Sequence, residues 1–431
     1  MKPPLRMLVL IWLCSLAAVS YLQRNLAVVE VSMRTALNLS KDDMGLVQSC
    51  FFWSYALLQV PAAWLGHRWG PRVSLTVCCL LWSVATGLTG LADSREMLCV
   101  VRLLIGAGQA VALPCIAEVV ALWFPQSERG RATGWIAACM QVGAVLNAFY
   151  SAPLVEAYSL AGYFWILALP GIIWALGFSV WFRDRPADFA AITSEELAQL
   201  PTPGRQQGSA GDFSWWMLVT SPVLWLICGQ QFCRAAGYIF FGTWFATYMQ
   251  EARHYDVKES GLATGCALIG VLVGALGGGS ISDWILHRTG NARWARQGVA
   301  VGSLVLCTLC IAGFYFITGD ALLTNIIAIG LMTLGAFFSG VAGPSGYTVT
   351  IDISGRHVAM MFGCMNMAGN FGAAIFAQII PKLLGPNRNH WDLVIIVFAL
   401  LYLVAALFWA LISPHGSVFG ENPRDPVDPS N

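Results

Sequence analysis

Long apolar blocks separated by short polar punctuation run from one end of this chain to the other. Each block holds about twenty residues or more, enough for a helix to cross roughly 30 Å of hydrocarbon. The pattern predicts an all-α membrane protein with twelve spans, over 5–33, 44–66, 72–92, 97–124, 132–154, 162–182, 220–248, 259–285, 298–318, 322–350, 357–383 and 390–413. The longest connection, 183–219, is polar and contains Pro201-Thr-Pro-Gly-Arg-Gln-Gln-Gly-Ser. It separates an N-terminal six-helix bundle, 1–182, from a C-terminal one, 220–413. A polar, proline-containing tail over 414–431 has the composition of a disordered segment.

An internal repeat supports two pseudo-symmetric halves. Gly130-Arg131 is followed by Cys139-Met140-Gln141, and Gly355-Arg356 by Cys364-Met365-Asn366, which makes spans 5 and 11 equivalent. The turn after span 2, Gly66-His-Arg-Trp-Gly70, corresponds in the same way to Gly279-Ser-Ile-Ser-Asp283 after span 8. Halves related by an axis along the membrane normal, with a site near the midplane, are a transporter plan.

Composition agrees with this plan. The chain is 57% hydrophobic and 11% charged, where a soluble protein carries about a quarter charged residues. A net charge of +1 without a basic patch argues against nucleic acid as a partner. The apolar run after Met1-Lys-Pro-Pro-Leu-Arg6 continues past Tyr21 and Arg24 without a small-residue cleavage site, so it reads as a span and not a signal peptide. All thirteen cysteines fall within spans, and the one Cys-x-x-Cys pair, Cys307 and Cys310, has no second pair nearby. Neither a disulfide framework, a metal site nor a cofactor is expected, and no nucleophile–base pair suggests an enzyme. Basic residues crowd the loops on the side that holds Arg6, Arg68, Arg72, Arg129, Arg131, Arg183 and Arg296. That excess places both termini in the cytoplasm of a multi-pass protein of the cell membrane.

The chemistry lies in the polar groups that interrupt the spans. Arg24, Arg102 and Arg234 are cations at a depth where an isolated charge costs several kcal/mol, which marks each as a functional candidate. Guanidinium recognises carboxylate in a planar, bidentate way and cannot shed its charge. Arg24 and Arg234 lie on corresponding spans of the two halves, so a substrate carboxylate fits between them; pairing with a protein carboxylate such as Glu30 is the structural alternative. Arg102 and Gln109, seven residues apart, share one face of span 4. Arg102 reads as an outer gate, a cavity lining or a snorkelling arginine. Gln23, Gln48 and Gln109 hydrogen-bond but exchange no proton at physiological pH. Gln141, Asn366 and Asn370 suit the hydroxyls of a sugar acid or, equally, interhelical hydrogen bonds. Glu118 faces away from Gln109 and is expected to pair with cytoplasmic arginines at helix ends.

Taken together, Tyr21-Leu-Gln-Arg24, Phe51-Phe-Trp-Ser-Tyr55, Gln59-Val-Pro61, Arg102, Pro114, Trp123-Phe-Pro-Gln-Ser-Glu-Arg129, Phe232-Cys-Arg234, Asp352-Ile, Asn366 and Asn370 resemble the major facilitator superfamily, and within it the anion:cation symporter family. The resemblance covers nearly the whole chain. It implies two six-helix bundles rocking around a central cavity in a monomer, with a small organic anion as substrate and a proton or sodium ion as coupling partner. It further implies carboxylate binding by Arg24 and Arg234, and cavity-lining roles for Tyr21 and Tyr55. The chain departs from the family where proton sites are expected: Gln23 stands in place of aspartate, Gln48 of histidine and Gln109 of glutamate. Glu30, on the face of Gln23, is the substitute coupling candidate. The superfamily's loop motif after span 2 is weakened, with Ala63 and His67 at its glycine and acid positions, while Asp283 keeps its counterpart after span 8 as a gating residue. Alternatives left open are a neutral or cationic solute on the same fold, or a membrane sensor without flux.

Overall fold

The computed structural model describes residues 4–24, 26, 29–200, 215–255, 257–317, 322–384 and 390–412. Among them every regular element is helical. In chain order these are α1 (Leu5–Leu22), α2 (Glu30–Leu37), α3 (Lys41–Trp69), α4 (Pro71–Thr89), α5 (Arg95–Gln109), α6 (Ala112–Trp123), α7 (Arg129–Trp181), α8 (Ser194–Gln199), α9 (Trp215–Thr220), α10 (Pro222–Ile239), α11 (Phe245–Glu251), α12 (Val257–Thr289), α13 (Val299–Tyr315), α14 (Leu322–Ile353), α15 (Val358–Leu384) and α16 (Trp391–Leu411). A π-helical segment, Phe240–Trp244, joins α10 to α11 within span 7. Nine stretches among the described residues are long and apolar enough to cross a membrane. Spans 2, 5 and 7 fall outside that set, and they are the ones that carry Gln48 and Gln59, Gln141 and Asn147, and Gln230, Gln231 and Arg234.

The chain forms two compact units. The first comprises Met1–Pro125, Trp135–Ala210 and Val358–Gly363; the second comprises Gln126–Gly134, Gly211–His357 and Cys364–Asn431. The first turns of spans 5 and 11, equivalent by the sequence repeat, are thus exchanged between the units.

Three boundaries differ from the sequence expectation. Span 1, expected to run unbroken over 5–33, ends as helix at Leu22, and α2 begins only at Glu30. Span 4 is α5 and α6, separated by a turn at residues 110–111. The loop expected between 154 and 162 is a single break at Ser159, which adopts φ 63° and ψ 171° inside α7.

The end of α1 explains itself through its carbonyls. The last four carbonyls of a helix have no partner within it, and buried ones must find donors elsewhere. Val19 and Tyr21 O accept from the backbone N–H groups of Gln23 and Arg24 at 3.1 and 3.4 Å. Ser20 O accepts from Gln109 Nε2 at 3.0 Å. Leu22 O accepts from Asn147 Nδ2 at 2.8 Å, and Arg24 O from Arg102 Nη1 at 3.0 Å. No glycine or proline lies in 20–30; the break is fixed by tertiary donors. Below it, Leu26, Val29 and Met33 pack with Met44, Val47, Leu98, Tyr163, Phe164 and Leu167 into a buried apolar cluster of the first unit.

Candidate functional site

In the first unit, the unwound end of α1 delivers Arg24 to the aromatic face of α3. Its guanidinium carbon stands 4.7 Å from the Tyr55 ring centre, 4.8 Å from Phe51, and 5.4 Å from both Tyr21 and Phe52. Phe51 and Tyr55 sit one helical turn apart and stack at 5.6 Å, so one arginine meets both faces together. Cation–π contacts hold the charge without consuming its N–H donors. Arg102, from α5, lies 4.7 Å from the same Phe51 ring. It is 2% exposed, so it neither snorkels nor rims an outer mouth; its Nη1 holds the Arg24 carbonyl while its Nε has no partner. Among the described residues no carboxylate lies within ion-pair distance of Arg24 or Arg102.

Gln23 and Gln109 are interhelical cross-links. Gln23 Nε2 donates to Leu167 O at 2.6 Å, while its Oε1 accepts from Trp82 Nε1 at 2.7 Å and Ser83 Oγ at 3.3 Å. That ties span 1 to spans 3 and 6. Gln109 Nε2 ties span 4 to span 1 through Ser20 O. Both amide nitrogens donate to main-chain carbonyls, a task an ionised carboxylate cannot perform. Gln48 and Gln141 are half-buried. The Glu30 side chain lies outside the described residues.

In the second unit, Arg234 on α10 directs Nε and Nη2 at one acceptor, Gln231 Oε1, at 3.2 and 3.1 Å. This fork to a neutral amide leaves the guanidinium's charge unmatched among the described residues. Its Nη1 faces Gly343, where an added methyl would come within 3.6 Å. Gln231 packs on Gly369 of α15, one turn from Asn366, whose carbonyl accepts from Asn370 Nδ2 at 2.7 Å. Gln231 thus joins Arg234 of α10 to the stretch of α15 that carries Asn366 and Asn370. Gln230, beside them, is 1% exposed, and neither of its amide atoms has a partner. Gln59 in the first unit has the same double vacancy. From sequence, Gln230 and Gln231 carry the same two readings as the other amides, cargo contact or interhelical hydrogen bond, and Gln59 has a place only in the motif of span 2.

Asp283 belongs to a different cluster of the second unit. Its carboxylate accepts from the backbone N–H groups of Gly130 at 3.2 Å and Arg131 at 2.6 Å, capping the start of α7. It also binds Arg296 Nη1 at 2.7 Å. Arg129 pairs with Asp352 at 2.6 Å, and Arg296 Nε lies 3.9 Å from the same carboxylate. Gly130 is required here, because a Cβ would come within 2.6 Å of Asp283 Oδ1 and Arg296 Nη1. The sequence placed Arg129 and Arg296 among the basic loop residues; they are 7% and 1% exposed. Glu118, expected to pair with arginines, instead meets His67 Nδ1 at 3.3 Å. Nearby, Gly70 adopts φ +81°, and Asp184 accepts from Arg72 N at 2.7 Å. Burial pushes the Asp184 carboxyl above its usual value.

The model of the Major Facilitator Superfamily matches residues 13–329. The chain is 30% identical to a probable sulfoacetate transporter of Cupriavidus necator, over 93% of this chain and 92% of that protein. It is 27% identical to a D-galactonate transporter of Escherichia coli, over 93% and 95%, and 26% identical to a chloroplastic ascorbate transporter of Arabidopsis thaliana, over 90% and 71%. Among solved structures, the transporter FucP in its outward conformation superposes with a TM-score of 0.73 at 15% identity, covering 95% of this chain and 99% of that one.

Proposed function

Because the chain belongs to the Major Facilitator Superfamily, and so is a multi-pass membrane transporter of a small molecule and not an enzyme, we propose that its cargo is a small organic anion, a sugar acid or another compact carboxylate or sulfonate, carried by alternating access. The observation that carries this reading is Arg24, a cation held by four aromatic rings without a described carboxylate within reach. Such a charge has no described counterion, and the buried Phe51 and Tyr55 rings strengthen any ion pair formed there. Arg234, forked to Gln231, supports the same reading in the second unit, where Asn366 and Asn370 read cargo hydroxyls, as Gln141 does in the first. The three relatives above are named for organic anions. The protein works as a monomer in the cell membrane with both termini cytoplasmic.

The coupling proton has no place at Gln23 or Gln109, whose amides are committed to main-chain carbonyls. Transport is then facilitated or exchanging, or is driven through Glu30. The test is flux of sulfoacetate and D-galactonate into proteoliposomes of the purified protein under an imposed pH gradient. Uptake is expected to be lost in Arg24→Gln and in Arg234→Gln. Flux indifferent to both substitutions would overturn the anion reading. Proton-driven uphill uptake that survives Glu30→Gln would overturn the coupling proposal alone.

A further inference from the structure

Charge matching inside this molecule points to a cargo with two negative charges. At the Asp283 cluster, two buried arginines, Arg129 and Arg296, meet two buried carboxylates, Asp283 and Asp352. In the first unit two guanidiniums, Arg24 and Arg102, share the Phe51 ring at 4.8 and 4.7 Å. No described carboxylate offsets either of them. Phe51 is 0% exposed and Arg102 only 2%, so water does little to screen the second charge. Along α5 and α6, Glu96 is engaged by Arg95 and Glu118 by His67. Asp43, at the start of α3, is engaged by Ser40 and Arg95. Two like charges with no described carboxylate beside them repel each other, and the folded protein retains them at a cost.

We propose, building on the organic-anion reading, that the cargo is a dianion of compact size, one anionic group bound directly by Arg24 and the second balancing the field of Arg102. Arg102 is enclosed, so it acts as a charge-setting residue and not as a cargo contact. The two guanidiniums lie within about 10 Å of one another, and at an effective dielectric of about 20 a second unit charge at that range changes anion affinity roughly tenfold. A matched monoanion forgoes that factor.

The experiment compares dianions with their own monoamides, which keep size and shape and remove one charge. The probes are sulfoacetate and its carboxamide, malonate and malonamate, and succinate and succinamate, titrated calorimetrically into the full-length purified protein at low salt. In the pair that binds tightest, the dianion is expected to bind about tenfold or more tightly than its monoamide. Arg102→Gln is expected to erase most of that ratio, and Arg102→Lys, which keeps the charge, to restore it. A ratio within threefold in the unaltered protein would overturn the dianion inference, and it needs no substitution that might unfold the chain. Failure of every dianion in the panel to bind would overturn it too. Loss of both members of a pair in Arg24→Gln, beside a ratio near one, would leave the organic-anion reading intact. Binding of every probe unchanged in Arg24→Gln would remove that reading itself.

Discussion

Arg296 and Arg102 are equally enclosed, 1% and 2% exposed, yet they live in opposite electrostatic settings. Arg296 has Asp283 at 2.7 Å, a serine hydroxyl, Ser282, at the same distance and a main-chain carbonyl at Gln126. Arg102 has one carbonyl and one ring, with its neighbour Arg24 carrying the same sign. The difference separates two uses of buried charge. A matched pair holds structure together, whereas a cation with no described counterion stores an affinity that an incoming anion satisfies. The spans bearing the unmatched groups include those too polar to be recognised as membrane-crossing by hydropathy.

The comparison breaks most visibly at Asp283. Asp283→Ala strands Arg296 and uncaps α7, and removal of one partner of a buried pair costs about 3–5 kcal/mol. The detergent-solubilised variant is expected to unfold at much lower temperature than the parent. Arg24→Met should do the reverse: anion affinity falls about a hundredfold or more, while thermal stability holds or rises because a half-buried charge with no described counterion has gone. Equal destabilisation by the two substitutions would erase the distinction between them. Gln109→Glu sharpens it at an intermediate scale. A glutamate donates to Ser20 O only with its proton on, so the folded variant binds a proton that the unfolded chain releases. Its melting temperature, measured between pH 5 and 8 against the parent, should fall as pH rises, with a cost of about 1–3 kcal/mol at the alkaline end. The smallest effect belongs to Asp184. Burial raises its folded-state value, so the parent loses a little stability as pH climbs from the usual carboxylate range through the raised value, and is flat above it. Asp184→Asn keeps an acceptor for Arg72 N and should flatten that slope in a thermal melt taken from pH 4 upward.

How much of this was legible beforehand follows from the range of each interaction. The spans and the arginines within them stand out along the chain because charge in an apolar run is conspicuous at single-residue scale. The fate of the glutamines is not: Gln23 meets Leu167 and Gln109 meets Ser20 through main-chain carbonyls, which every residue possesses and no sequence advertises. The break after Leu22 escaped for the same reason, since its donors, Asn147 and Arg102, come from distant spans and no helix-breaking residue marks the spot. Arg129 and Arg296 looked like loop cations until burial placed them against Asp352 and Asp283.

The donors that close the end of α1 address carbonyls, not side chains. Ser20, Leu22 and Arg24 each supply a backbone oxygen to Gln109, Asn147 and Arg102, whatever side chain those three positions bear. Support for the unwound segment and the identity of the group it displays are therefore separate variables. A lineage built on this architecture is free to exchange the residue at position 24, and with it the charge of the cargo, while the scaffold that presents it stays intact.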